Sequence, residues 1–281
     1  MISKLRIRAL VNDSAGLKGL LSRHGLSLLV EARLDDSIAS VLVDTGPTPE
    51  AIAHNVGAMG IDLRKVDAIF ISHGHYDHIG GLLNSLKMIG KSIPVIVHPK
   101  AFDPKFVISP IIKAVGSSFG LSEIKTNGGI PVIASNPVRI ADGITTSGEI
   151  VRETDFEKSE GFWTVENEKF VEDKLLDDQA LILDFEKGLV IITGCAHSGI
   201  VNTIRHAEIL TSKQEVYAIV GGFHLSKASE DRIAKTTLEL MGRSPRLIAP
   251  CHCSGSRAIL KFAKAFGKKC KPLRAGDVID I

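Results

Sequence analysis

Apolar positions in the first half of the chain either alternate with polar ones or gather in short blocks, and turn residues separate the blocks. Residues 5–11, 26–33 and 40–44 read as strands, with turns at Asp35-Asp36 and Gly46-Pro47. Residues 48–56 read as a helix, 66–71 as a buried strand, 82–89 as a helix and 94–98 as a strand. The second half repeats this grammar. Residues 179–185 and 189–193 form a predicted hairpin around Glu186-Lys187-Gly188. Predicted helices at 201–210, 231–240 and 256–266 then alternate with strands at 216–220 and 246–250. Strands first and strand–helix alternation afterwards, twice over, predict α/β architecture as an αββα sandwich, two packed sheets with helices outside. No linker divides the halves, so residues 1–281 are expected to form one domain. Residues 103–163 hold many Pro, Gly, Ser and Asn and only short apolar runs, at 130–134 and 143–146. They are expected to be an inserted, irregular region or lid of short strands and loops.

Chemistry concentrates in His73-Gly74-His75-Tyr76-Asp77-His78, which puts four metal-ligand side chains into six residues. The stretch follows the buried strand 66–71 and precedes Ile79-Gly80-Gly81-Leu82-Leu83, which reads as a first helical turn. Such a strand-to-helix turn is where open α/β sheets keep their sites. In extended backbone, side chains two apart share a face, which would group His73, His75 and Asp77. His78 would point back to them from the turn. Imidazole and carboxylate suit zinc, iron or manganese.

Composition narrows the class without changing this picture. The chain has 281 residues, 44% apolar and 23% charged, with a net charge of +2. That balance fits a globular enzyme and argues against a strongly basic nucleic-acid surface. The Lys261, Lys264, Lys268, Lys269 and Lys271 group reads as a solvated face. No run is long enough to span a membrane, and the first residues lack a signal-peptide core, so a cytoplasmic protein is expected. The four cysteines, Cys195, Cys251, Cys253 and Cys270, sit near histidines rather than in a disulfide framework.

Three further histidines follow predicted strands: His197 in Gly194-Cys195-Ala196-His197, His224 in Gly221-Gly222-Phe223-His224, and His252 in Pro250-Cys251-His252-Cys253. If those strands run the same way, their imidazoles reach one rim beside the motif. His54, His98 and His206 lack that context and are expected to be structural or exposed. Cys195 can be a metal-binding thiolate or a packed neutral thiol. Asp44 ends a strand and Asp178 opens one, and either can orient a ligand histidine by hydrogen bond. Ser198-Gly199 and Ser254-Gly255-Ser256 lead into helices, where free N–H groups would suit phosphate or simple capping.

Together these residues resemble the HxHxDH signature of the metallo-β-lactamase superfamily. The likeness extends to His24-Gly25-Leu26-Ser27, Val43-Asp44-Thr45-Gly46, Asp178-Gln179-Ala180-Leu181, residues 193–202, 221–225 and 250–255. These resemble the dihydropterin ribofuranosylaminobenzene phosphate synthase-like subgroup. The resemblance implies the αββα fold and two divalent metals, zinc first, with Mn, Fe or Mg as alternatives. His73, His75 and His197 would hold one; Asp77, His78 and His252 would hold the other. Superfamily hydrolases bridge the metals with an aspartate, and here Cys195 stands in that kind of position.

The subgroup's reaction joins a dihydropterin-methyl diphosphate to an arylamine ribose phosphate and expels pyrophosphate. The implied partner is thus a small phosphate-bearing substrate, with Phe102, Phe119, Phe162 and Trp163 as candidate covers for a flat pterin. The alternative is a dinuclear hydrolase of a phosphoester, thioester or lactone, with Asp77 orienting water and His224 protonating the leaving group.

Overall fold

The computed structural model describes every residue except Asp36 and Ser109, so the Asp35-Asp36 turn lies partly outside the described residues. In the first half, strands β1 (Lys4–Val11), β2 (Ser27–Leu34) and β3 (Ser37–Val43) lead to helix α1 (Pro49–Ala58) and strand β4 (Ala68–Phe70). Two helices follow, α2 (Tyr76–Ile79) and α3 (Leu82–Ile89), and then strand β5 (Ile93–Val97). The middle holds β6 (Phe106–Val107), β7 (Lys113–Ala114), α4 (Leu121–Thr126), β8 (Gly129–Ile133), β9 (Arg139–Ala141), β10 (Ile144–Thr146), β11 (Phe162–Glu166) and β12 (Lys169–Glu172). The second half runs β13 (Ala180–Phe185), β14 (Gly188–Thr193), α5 (Ile200–Thr211), β15 (Val216–Gly222), α6 (Glu230–Arg243), β16 (Leu247–Cys251), α7 (Ser256–Phe266) and β17 (Val278–Asp280).

The strands form a seven-stranded sheet ordered β17-β1-β2-β3-β4-β5-β8 and a six-stranded sheet ordered β16-β15-β14-β13-β10-β9. Alternation along each strand supplies the layers. Val41, Val43, Ala68 and Phe70 point into a core shared with Leu181, Leu183, Val190, Ile192 and Val220 of the other sheet. Their neighbours Leu42, Ile69 and Ile71 face outward against Ile52, Val56, Leu82 and Leu86. On the far side, Ile191 and Ile219 meet Ile200, Ile204, Ile233, Leu240 and Phe262. Helix, sheet, sheet and helix are therefore joined by three apolar interfaces, the αββα sandwich the pattern predicts.

Strand direction creates the rim. β3, β4, β5 and β8 are parallel, as are β14, β15 and β16. β2 is antiparallel to both β1 and β3, so β1 ends where β3 ends and β2 begins there. β13 is antiparallel to β14 and likewise begins at that end. Residues 103–163 hold short strands that divide among three sheets. β8 borders the first sheet and β9–β10 the second, while β6, β7 and β11 join β12 in a separate sheet ordered β12-β11-β6-β7. This small sheet extends to Glu172, past the expected end of the inserted region.

Candidate metal centre

The motif leaves β4 at Phe70, passes through Ser72–Gly74 without regular secondary structure and turns helical at Tyr76, one residue after His75 caps α2. Asp77 and His78 are therefore helical, and Asp77 does not share a face with His73 by strand alternation. The helix turns it instead toward His252, with Asp77 Oδ2 3.4 Å from His252 Nε2. Gly74 is required by close packing. A Cβ there would lie 1.8 Å from the Ala101 carbonyl oxygen.

Nearby hydrogen bonds fix the imidazoles. Asp44 accepts from the Ser72 amide and hydroxyl, each at 2.7 Å, and lies 2.6 Å from His78 Nδ1. Ser72 Oγ is 2.9 Å from His73 Nδ1. Asp13 Oδ1 lies 2.6 Å from His252 Nδ1. With Nδ1 turned to a carboxylate, His78 and His252 bring their Nε2 atoms to 3.2 Å of one another. Two neutral rings so placed would face each other with lone pairs, an arrangement that a shared proton or a cation between them relieves. Ligand atoms on a tetrahedral ion with bonds of ~2.0–2.1 Å are separated by about 3.3 Å.

His73, His75 and His197 make a second such group, with ligand atoms all within 4.8 Å. His75 Nε2 and both ring nitrogens of His197 are buried without a hydrogen-bond partner among the described residues. Burial, then neighbouring imidazole charge, hold His73 and His197 well below the usual histidine range, and burial holds His75 at about 3. These rings are neutral donors. The orphaned nitrogens and the donor chemistry fit a divalent cation at both groups.

Cys195 Sγ lies 3.2 Å from His78 Nε2 and groups with both His73 and His78. Burial, with Cys253 beside it, raises the Cys195 thiol well above the usual range. His224 packs against His197 at 4.2 Å between ring centroids, and its buried Nδ1 has no partner among the described residues. Asp44, Ala196, His224 and His252 all adopt positive φ, between 48° and 56°. Such backbone is sparse outside glycine and tends to cluster at functional sites.

Several expectations need correction. The Ser198-Gly199 helix start has no free anion seat, because Glu157 accepts from Val201 and Asn202 amides at 2.9 and 2.8 Å. Asp178 accepts from the Ser198 amide at 2.8 Å. Asp178 thus holds the Ser198 amide through Oδ2, while its buried Oδ1 has no partner among the described residues, and burial raises its carboxyl to about 6. Ser254 is committed too, donating to the Cys251 carbonyl and accepting from the Phe223 amide. Of the Ser254-Gly255-Ser256 stretch expected to suit a phosphate, Gly255 and Ser256 remain at the start of α7. Phe162 stacks on His75 at 4.9 Å, whereas Trp163 stacks on Phe170, and Phe102 and Phe119 pack against the outer helical layer. His54, His98 and His206 bond to the Gly19 carbonyl, Glu149 and the Ser147 carbonyl, outside the centre as expected.

Four side chains that the motif did not reveal complete the surroundings. Asp13 and His24 stand behind and beside His252; Asp177 accepts from the Gly74 amide at 2.8 Å. Lys105 bridges Asp177 and Asp173 at 2.9 and 3.0 Å.

The model of the metallo-beta-lactamase superfamily matches residues 24–210, a span that includes the motif, Cys195 and His197. The chain belongs to the metallo-beta-lactamase superfamily. It is an enzyme of that metal-dependent class. It is 35% identical over 99% of its length to 97% of 7,8-dihydropterin-6-methyl-4-(beta-D-ribofuranosyl)-aminobenzene-5'-phosphate synthase of Methanocaldococcus jannaschii. An uncharacterized protein of the same organism is 30% identical over 92% of this chain and 94% of its own. Among solved superfamily structures, Tm1679, described as a metal-dependent hydrolase, superposes with a TM-score of 0.84 at 30% identity, covering 99% of both chains. Divalent metal binding follows from the superfamily, and the His73–His75–His197 and Asp77–His78–His252 groups are among those whose ligand atoms lie within 4.8 Å of one another.

Proposed function

We propose that this enzyme joins a dihydropterin-methyl diphosphate to an arylamine ribose phosphate. The amine nitrogen bonds to the pterin methylene carbon, the carbon–oxygen bond breaks, pyrophosphate leaves with the electron pair, and the amine loses a proton. The observation that carries this reading is the 35% identity, end to end, with the Methanocaldococcus jannaschii synthase.

In this reading His73, His75 and His197 hold one divalent ion, with zinc the first choice, and Asp77, His78 and His252 hold a second. Bound ions would supply positive charge to the diphosphate leaving group. The rest falls to the chain. Asp44 and Ser72 keep His78 and His73 in one tautomer and orientation. Phe162 gives the pterin an apolar wall beside His75 and His197. Gly255 and Ser256 offer the α7 start to a phosphate. His224, with its unpartnered Nδ1, exchanges the proton of the reacting group. Free thiols at all four cysteines agree with a cytoplasmic setting.

A second reading, hydrolysis of a phosphoester, thioester or lactone, draws on the 30% identity to Tm1679. Mass spectrometry of a reaction with metal-loaded enzyme and both substrates separates the two. The joined pterin–arylamine product is expected; conversion of the diphosphate to the free alcohol with no joined product would favour the hydrolase.

A further inference from the structure

Asp13, His24, Asp77 and His252 form an arrangement that the two expected ligand groups do not absorb. Each of two imidazoles is held between the same two carboxylates. Asp13 Oδ2 lies 2.9 Å from His24 Nδ1, and Asp13 Oδ1 lies 2.6 Å from His252 Nδ1. On the other side, Asp77 Oδ2 lies 3.3 Å from His24 Nε2 and 3.4 Å from His252 Nε2. The rings lie side by side, 4.9 Å apart and tilted by 39°.

A neutral imidazole can give a proton to only one of two flanking carboxylates; the other nitrogen then presents a lone pair to an anion. An imidazolium, with one proton for each carboxylate, or a cation on the Asp77 side of a neutral ring meets this demand at either position. His24 stands in the same relation to the same two carboxylates. Its position is also built into the fold rather than left to a flexible loop. The Leu26 amide donates to the Asp77 carbonyl at 3.1 Å, and a Cβ on Gly25 (φ 148°) would lie 2.4 Å from that oxygen. Only glycine lets the His24 segment lie this close to the motif.

We propose that His24 is a metal ligand, joining Asp77, His78 and His252 at the second position, with Asp13 bracing both outer imidazoles. His24 is 61% exposed at its side chain while His252 is fully buried, so His24 is the ligand on the solvent side. That makes it the donor that can yield its place to an incoming substrate oxygen without disturbing the inner three. The proposal rests on Asp77, His78 and His252 holding a metal and does not depend on which substrate is used.

Cobalt(II) titration of the full-length, metal-free chain tests it, read by visible absorption and by competition with a chelating dye. His24→Gln and His24→Ala are expected to weaken the second cobalt equivalent by about tenfold or more, to change its absorption band, and to leave the first equivalent unchanged. Free imidazole should restore the band in His24→Ala, and Asp13→Asn should weaken the same equivalent. His54→Ala, on the surface away from the centre, is the unchanged control. Wild-type affinity and band in folded His24→Gln would overturn the proposal. Two full equivalents retained by His78→Ala would instead overturn the second-position assignment beneath it.

Discussion

Asp44 accepts from the Ser72 amide, the Ser72 hydroxyl and His78 Nδ1, so one buried carboxylate fixes two rings of the motif. Its own positive φ of 56° is the backbone cost of that position. Replacing it by Asn keeps the shape, but puts an amide where His78 needs a carboxylate. Asp44→Asn is expected to lower affinity for the metal held by His78 by about 10–100-fold, measured by chelator competition. Unchanged affinity would remove Asp44 from this role. Asp13 shows why some site residues escaped the sequence. It lies two residues beyond the end of β1, the same strand-end context that exposed His197 and His252, but in Asn12-Asp13-Ser14 it reads as an ordinary turn. His24 precedes a strand rather than following one, and only the pairing of β2 against β3 brings that end to the rim.

The segments flanking the small β12-β11-β6-β7 sheet hold two backbone amides of the motif. The Tyr76 amide donates to the Val115 carbonyl, and the Gly74 amide to Asp177. Lys105 pairs with Asp177 and Asp173 under this cover; burial opposes its charge, but the two carboxylates raise it above the ordinary lysine range. Removing the ammonium strands two acids, one of them fully buried. Lys105→Met is expected to cost about 3–5 kcal/mol in denaturant unfolding; a loss below about 1 kcal/mol would show that the pair is dispensable. The main strands and helices were legible because their apolar periods are strong. The fate of residues 103–172 was not, because strands of two to five residues carry little period, and partners such as β5 for β8 and β13 for β10 lie outside the local segment. Glu157 is the sharpest example. Nothing local marks it as the group that fills the amino end of α5.

At the scale of the molecule, the two parallel strand sets aim histidines at one rim from both sheets, and the two expected metal positions differ in charge. Burial keeps His73, His75 and His197 neutral, so a metal there displaces no proton near neutral pH. Burial works against charge on His252 as well, but Cys253, Asp13 and Asp77 overcome it and raise its pKa. A metal at the second position must displace that proton. Its affinity should therefore rise with pH by up to about tenfold per unit, while affinity at the first position stays nearly flat. Acidification of the loaded enzyme should release the second ion first, as followed by metal analysis after gel filtration at stepped pH. Parallel release of both ions would contradict this asymmetry.

In the proposed reaction the centre serves bond formation between two substrates. The most direct test is the rate of pyrophosphate release by metal-loaded enzyme from dihydropterin-methyl diphosphate, with and without the arylamine ribose phosphate. Release that requires the amine is the predicted result. Equal release from the diphosphate alone would contradict it and identify a hydrolase.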